Sequence, residues 1–165
     1  MDIKSDLIVM LPRLRRFARS LTRSEVEADD LVQDACLRAL SRSDQWDPAQ
    51  PLDRWVFRIM RNLWISEMRK RTVRMGQGHV PAEETEELIS LSTGEDAIMA
   101  AQLNRQIAAL PEGLSAILLC VTVEGYSYAE AAQLFDIPQG TVMSRIHRAR
   151  KTLAAQISAP AGADR

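Results

Sequence analysis

The fold of this chain is decided by one stretch, Gly140-Thr-Val-Met-Ser-Arg-Ile-His-Arg-Ala-Arg-Lys-Thr-Leu153, which predicts a short amphipathic helix. Its apolar residues recur at helical spacing and therefore share one stripe. They are Val142, Ile146, Ala149 and Leu153. The remaining surface, mostly basic and polar, offers Thr141, Met143, Ser144, Arg145, His147, Arg148, Arg150 and Lys151. Taken alone, this pattern fits a solvated surface helix equally well, because basic helices are common.

The residues just before this stretch predict a second short helix with a recognisable start. Ser127 and Glu130 have the spacing of a capping box, in which each side chain accepts from a backbone N–H that the first turn leaves unpaired. Asp136 tolerates a left-handed turn, and Pro138 suits only the first turn of the helix that follows. A short helix, a turn and a basic helix form a helix-turn-helix, whose second helix enters the major groove of DNA.

Composition and targeting signals indicate an ordinary water-soluble protein. No apolar run approaches the roughly 20 residues that span a bilayer, and the polar start carries no secretory signal. We therefore expect a cytoplasmic protein without membrane insertion. Cys36 and Cys120 lie in apolar helical patterns that predict buried thiols, and the cysteine and histidine spacing fits no zinc site. No metal or cofactor is expected.

The net charge of −1 hides a division along the chain. Residues 1–75 hold fifteen Lys and Arg against eleven Asp and Glu, whereas residues 76–99 hold six acids and no base. A chain that segregates its charge in this way is expected to have several separate contact surfaces.

The first part of the chain predicts two helices, one over Leu7–Leu21 with a basic exterior and one from about Glu25 to Leu40. A second capping-box spacing, from Ser24 to Glu27, marks the start of the latter. The predicted core residues of the two helices include Leu7, Ile8, Leu11, Leu14, Phe17, Ala18, Leu21, Val26, Leu31, Val32, Ala35, Cys36, Ala39 and Leu40. On the opposite side of the second helix lie Asp29, Asp30, Gln33 and Asp34. One explanation is that acids in the first turn complement the helix dipole. Asp34 lies too far along the helix for the dipole to explain it. We therefore predict that these residues form a protein-docking patch.

A third helix is predicted from about Leu52 to Arg71, after a polar loop that contains Trp46. Its apolar half comprises Leu52, Trp55, Val56, Ile59, Met60 and Leu63. A basic stripe on the far side comprises Arg54, Arg58, Arg61, Asn62 and Arg69. Cations at the end of the helix, including Lys70 and Arg71, also suit the helix dipole. The dipole does not explain the first three arginines, so the stripe predicts a polyanionic partner.

Residues 75–95 show no apolar period and combine glycines, a proline and clustered acids, which indicates a flexible linker. Helices are expected again over Ala97–Ala109 and from about Pro111 to Glu124. The chain is therefore predicted to be all-α, with two small helical domains at residues 1–74 and 96–155. The second contains the helix-turn-helix, and residues 156–165 form a disordered tail.

Five motifs, in this order, resemble a bacterial extracytoplasmic-function (ECF) sigma factor, from group IV of the primary sigma family. They are Asp29-Asp-Leu-Val-Gln-Asp34, Trp55-Val-Phe-Arg-Ile-Met-Arg-Asn62, Gly125-Tyr-Ser-Tyr-Ala-Glu130, Ile137-Pro-Gln-Gly-Thr-Val142 and Ser144-Arg-Ile-His-Arg-Ala-Arg150. The resemblance covers about residues 10–155. Ala28-Asp-Asp-Leu-Val-Gln33 and the end of the third helix are most similar to the general-stress group of alphaproteobacteria.

The resemblance implies a non-catalytic subunit that binds core RNA polymerase and directs it to specific promoters. The acidic patch would dock on the clamp helices of the polymerase β′ subunit. The acidic linker would pass through the polymerase between the two promoter elements, and the β subunit is a further implied partner. The minus-ten element would be bound and melted by Trp46, Arg54, Arg58, Arg61, Asn62, Arg69, Lys70 and Arg71. The basic helix at 140–153 would read the minus-thirty-five element, with base preference depending on Arg145 and Arg148 and with Arg150 and Lys151 on phosphates. An anti-sigma factor is an implied partner.

Two departures from the family and three alternatives remain. Asp136 stands in the turn where glycine is frequent, which affects only the geometry of the turn. Met143 stands where many relatives carry a basic residue, which leaves the promoter sequence open. A sigma-like decoy that binds an anti-sigma protein would carry a phosphoreceiver domain, for which this sequence has no room. A one-component repressor would leave the first domain unexplained. An enzyme lacks support from any phosphate-binding glycine loop, nucleophile elbow or metal-ligand cluster in the sequence.

Overall fold

The chain folds as two compact units of helices. The computed structural model describes residues 2–75, 94–111 and 113–158, where all regular structure is α-helical apart from a 3-10 turn at Ser43–Gln45. The helices are α1 (Ile3–Thr22), α2 (Glu25–Ser41), α3 (Leu52–Met75), α4 (Glu95–Ala108), α5 (Leu114–Thr122), α6 (Tyr128–Phe135) and α7 (Gln139–Ser158). One unit contains α1–α3 and the other contains α4–α7. The predicted all-α class, with a helix-turn-helix in the second unit, is confirmed.

The three helices of the first unit pack around a narrow apolar core. Its fully buried members include Leu14 and Phe17 of α1, Ala35 of α2, and Val56, Phe57 and Met60 of α3. Ile8, Val26 and Leu40, which were predicted core residues, are exposed. Three helices bury one stripe each, so apolar residues on the flanks of those stripes stay in contact with solvent.

The core face of α3 is rotated from the one that the sequence predicts. Phe57, absent from the predicted apolar set, is fully buried, and its ring centroid lies 4.6 Å from that of Phe17. Trp55 and Ile59, which were predicted core residues, are only half-buried. The large aromatic pair contributes more buried area than an aliphatic contact would, and it turns the helix toward α1.

At the start of α2, the predicted capping box is only partly present. At α2, the Ser24 hydroxyl accepts from the Glu27 backbone N–H, as predicted. The Glu27 carboxylate pairs with Arg71 of α3, and the Ser24 N–H donates to the Thr22 hydroxyl instead. The predicted capping box is therefore only half formed here, because a cation from another helix competes for the glutamate.

The helix-turn-helix of the second unit matches the sequence closely. Both bonds of the Ser127–Glu130 capping box are present, and α6 begins at Tyr128. Asp136 closes α6 in the left-handed conformation, with φ of 52°. Val142, Ile146 and Ala149 of α7 are all buried, as their spacing predicts. These residues pack α7 against α5 and α6.

Replacing Ser127 by Ala is expected to lower the free energy of unfolding by about 1 kcal/mol, because the Glu130 N–H loses its acceptor. Urea unfolding followed by circular dichroism measures this loss. Ser144→Ala, which removes an exposed hydroxyl inside α7, is the matched control and should change stability by less than about 0.5 kcal/mol. Equal effects of the two substitutions would contradict the capping role.

The boundaries of the linker and of the C-terminal tail differ from those that the sequence predicts. The linker lies outside the described residues except at its ends, where α3 extends to Met75 and α4 begins at Glu95. Helix α7 continues to Ser158, so the predicted disorder is wrong for residues 156–158. Alanine and glutamine at 154–156 are strong helix formers and extend the last turns. Residues 159–165 lie outside the described part.

Two further expectations concern the cysteines and the membrane. Cys120 is buried as predicted, whereas Cys36 is only partly buried. Burial still raises the pKa of the Cys36 thiol, which favours the protonated form at neutral pH. Across the described residues, no helix has the combination of length and apolar character that a membrane span requires.

Candidate nucleic-acid and protein-docking surfaces

The acidic patch predicted on the second helix lies together on the solvent side of α2. Asp29, Asp30, Gln33 and Asp34 are all exposed, opposite the buried Ala28, Val32 and Ala35 side of the helix. The Asp29 carboxylate lies 4.0 Å from Arg15 of α1, but both side chains are more than half exposed. Such an ion pair contributes little, so the patch presents its negative charge to a partner.

The residues of the basic stripe predicted on the third helix differ in exposure, because α3 is rotated from the predicted orientation. Arg58, Asn62 and Arg69 are exposed, whereas Arg54 and Arg61 are half-buried along one flank of the stripe. The Arg61 guanidinium donates to the Asn62 side-chain oxygen at 3.4 Å. The stripe therefore exposes two arginines and an amide, and its two further arginines lie together on the side nearer the core.

Arg71, which the family resemblance placed among the minus-ten contacts, lies on another side of α3 from the basic stripe. Its guanidinium pairs with the Glu27 carboxylate of α2, and its Nε lies 3.5 Å from Glu67 of α3. It also lies over the Trp64 ring, 5.2 Å from the centroid. Lys70, by contrast, is exposed beside it. Of the predicted cations at the end of α3, Arg71 faces the protein.

Trp46 is held in the loop between α2 and α3. The 3-10 turn at Ser43–Gln45 precedes it, and its indole N–H donates to the Gln50 carbonyl at 3.1 Å. The Asp47 carboxylate accepts from the Ala49 N–H at 2.9 Å and tightens the same loop. The indole is half-buried, so one part of the ring remains accessible at the entry to α3.

The polar residues predicted on α7 also differ in exposure. Met143, Ser144, His147, Arg148, Arg150 and Lys151 are exposed, and Thr141 and Arg145 are half-buried. Ser144 and Arg148 lie one turn apart on the side opposite the buried stripe. Met143 is 52% exposed, so an apolar side chain occupies one edge of this face.

Arg145 lies at the flank of α7, against the turn before α5. Gly113 occupies that turn in the left-handed region, with φ of 86°. The Arg145 Nη1 atom lies 3.7 Å from the position that a Cβ on Gly113 would take. The end of the Arg145 side chain thus lies beside Gly113, whereas Arg148, in the third turn of α7, is exposed.

Two ion pairs that hold the helices near these surfaces are not predicted by the sequence. Arg13 of α1 forms a 2.7 Å ion pair with Asp53 in the first turn of α3, and its guanidinium lies 5.9 Å from the centroid of Phe57. Asp53 could have been suspected from its first-turn position. The Glu27–Arg71 pair joins residues 44 positions apart, and periodicity gives no signal for it.

Comparison with known proteins identifies both units. Residues 8–74 match the family described as Sigma-70 region 2, and residues 100–153 match the family described as Sigma-70, region 4. The ECF RNA polymerase sigma factor EcfG of Rhodopseudomonas palustris is 34% identical over 155 residues, which cover 93% of this chain and 84% of the relative. SigW of Bacillus subtilis, also named an ECF RNA polymerase sigma factor, is 31% identical over 79% of this chain and 75% of its own length.

The chain is also similar in fold to a solved structure. It is that of the sigma factor RpoE in complex with the anti-sigma factor NepR from Bartonella quintana. The two proteins are 28% identical, and the match covers 97% of this chain and 99% of that one with a TM-score of 0.77.

Proposed function

This chain belongs to the ECF RNA polymerase sigma factors, and we propose that it binds core RNA polymerase, directs it to specific promoters and helps to melt the minus-ten region. One observation carries the proposal. The same chain exposes an acidic face on α2, a basic stripe on α3 and a basic helix-turn-helix face on α7. A protein that only bound duplex DNA would have no use for the acidic face.

The acidic face of α2 is the proposed docking surface for the clamp of the polymerase β′ subunit. The chain is also proposed to contact the polymerase β subunit. Asp30, Gln33 and Asp34 are exposed and rise from a helix whose other side is fixed in the core. Carboxylates on a rigid helix suit a cationic partner surface, since electrostatic complementarity speeds encounter and fixes the register.

The basic stripe of α3 is the proposed contact to the minus-ten element. Strand separation exposes a single strand, and a positively charged groove with aromatic side chains is the usual way to hold one. Arg58, Arg69 and Lys70 supply charge, and the half-buried Trp46 supplies an aromatic surface in the loop before the helix. Extruding a base costs a few kcal/mol, which stacking and phosphate contacts together can offset.

The exposed face of α7 is the proposed reader of the minus-thirty-five element. Its first turns present Ser144 and Arg148, and an arginine that binds guanine through two hydrogen bonds is the commonest specific contact in the major groove. The sequence assigns base reading to Arg145 as well. Its position beside Gly113 makes Arg148 the stronger candidate.

Arg148→Ala is expected to relax the upstream preference, weakening cognate binding by about 1–3 kcal/mol and binding to a scrambled element much less. Lys151→Ala should weaken both by the same factor and lower the salt slope by about one, as loss of a phosphate contact does. Anisotropy titrations of the holoenzyme at several salt concentrations measure both quantities. Equal losses on the two elements for Arg148→Ala would refute the base-reading role.

The partners and location follow from this role. EcfG and the NepR-bound RpoE support membership of the general-stress subgroup, and we propose that an anti-sigma factor similar to NepR binds this chain. The subunit acts in the cytoplasm, where the polymerase and the promoters are. It is not itself an enzyme, because the polymerase carries the chemistry.

Run-off transcription over a genomic promoter library, with purified core polymerase and the full chain, tests the proposed function. A sigma factor yields a set of transcripts whose start sites share two upstream elements, and core polymerase alone yields none of them. If the chain binds an anti-sigma factor but neither binds core polymerase nor supports any specific transcript, it is a sigma-like decoy, and the proposal fails.

A further inference from the structure

The end of α3 is attached to the rest of the first unit by a polar cluster. The buried side chains of α3 are Val56, Phe57 and Met60, all in its first three turns. Between Arg61 and Met68 no residue is fully buried, although Leu63, Trp64, Ile65 and Met68 are half-buried. From Arg69 to Met75, every residue of the described helix except Arg71 is exposed. Since burial of apolar side chains is what normally holds a helix in place, the last two turns need another attachment.

That attachment centres on Arg71. Its guanidinium pairs with Glu27 in the first turn of α2 and with Glu67 one turn back, and it lies over the ring of Trp64. Glu67 also pairs with Arg74 at 3.2 Å. The Arg71 and Glu27 side chains are each only 32% exposed, so this pair is better shielded from solvent than the Arg15–Asp29 and Arg19–Glu25 pairs, which join α1 to α2.

We propose that Arg71 and Glu27 are positioning residues for promoter binding, and that neither contacts DNA. They clasp the end of α3 to the start of α2 and so hold Arg69 and Lys70 where the minus-ten strand passes. The inference rests on the proposed function, because it assigns the clasp to the same α3 surface. It also replaces the direct DNA contact that the sequence assigned to Arg71.

The clasp also joins the two proposed working surfaces. Glu27 lies one turn before Asp30 on α2, and Arg71 directly follows Lys70 on α3. A polymerase bound to the α2 face would therefore fix the end of the DNA-binding helix through this one ion pair. Arginine suits the position better than lysine, because its planar guanidinium can pair with two carboxylates and stack on an indole together.

The decisive variant is Glu27→Ala, because the clasp and simple electrostatics predict opposite signs. Removing an acid raises affinity for a polyanion if charge alone matters. If Glu27 holds Arg71, its removal should instead weaken binding, by about threefold to fivefold for a partly shielded ion-pair network. Arg71→Ala should weaken binding by a similar factor, and the double variant should be no worse than either single one.

The measurement is the affinity of the holoenzyme, assembled from core polymerase and the full chain, for a pre-melted promoter fragment chosen in the run-off experiment. Glu25→Ala is the matched control, since Glu25 lies in the same turn of α2 but pairs with Arg19 of α1 at 3.6 Å. It should bind as well as the wild type or better. Hydrogen exchange of the free chain should show faster exchange over 66–75 in both clasp variants, with 56–60 unchanged.

Three results would overturn the clasp. If Glu27→Ala binds as tightly as Glu25→Ala while Arg71→Ala is weak, Arg71 contacts DNA directly. If both variants bind like the wild type while Arg58→Ala is weak, α3 binds DNA without the clasp, and the proposed function survives alone. If the wild-type holoenzyme does not bind the promoter fragment at all, the proposed function fails, and the clasp fails with it.

Discussion

Replacing Arg58 and Arg61 together by Ala is expected to reduce run-off transcription from a duplex promoter by at least about a hundredfold. Two charge-assisted contacts to phosphates are lost, each worth about 1.5–3 kcal/mol. Arg58 is exposed at the centre of the α3 stripe, and Arg61 lies at its edge beside Asn62. If these contacts hold the strand during melting, a template that is already melted at the minus-ten region should restore part of the activity.

The paired templates separate melting from assembly. A variant that fails equally on duplex and pre-melted templates has lost general DNA affinity or the ability to assemble, and the melting role would then be wrong. Lys4→Ala with Arg16→Ala is the matched control, since it removes two exposed cations from α1. This control should transcribe both templates within about twofold of the wild type, because the removed charges lie outside the proposed contacts.

Replacing Asp30 and Asp34 together by Ala should weaken binding to core polymerase by roughly tenfold to a hundredfold. Truncating charges that pair across an interface typically costs about 2–5 kcal/mol for buried pairs and less at a rim. The two carboxylates lie one turn apart on the exposed side of α2, so they can engage the same cationic surface. Affinity measured by fluorescence anisotropy against labelled chain gives the comparison.

The salt dependence and a charge-matched control test the mechanism of docking. Wild-type affinity should fall as salt rises, and the Asp30/Asp34 variant should show a flatter dependence, because fewer charge pairs are screened. Asp44→Ala with Glu95→Ala changes the net charge equally but removes exposed acids outside α2. If this control weakens docking as much as the patch variant, net charge decides affinity and the patch assignment is wrong.

The proposed surfaces were largely predictable because they lie on long helices. A helix turns through about 100° per residue, so sequence alone places Asp30 with Asp34, and Arg58 with Asn62, on common faces. The faces are exposed as predicted. The proposed partner of each face is taken from the family to which the chain belongs, because charge alone does not distinguish one oppositely charged partner from another.

The errors have a common physical cause. Periodicity tells which residues share a face but not which neighbouring helix that face meets. Phe57 enters the core because Phe17 of α1 offers it an aromatic partner, and this contact rotates α3 enough to leave Trp55 only half-buried. Arg145 lies against Gly113 because α5 happens to begin within reach of its long side chain.

The sequence by itself determined the all-α class, the helix-turn-helix with its Ser127–Glu130 cap, and the acidic and basic faces. These features are local, since a cap spans one turn and a stripe spans one helix. Only the tertiary structure decided the role of Arg71, which the sequence placed among the DNA contacts. Its partner Glu27 lies 44 residues away, and only the packing of α3 against α2 brings that carboxylate within reach.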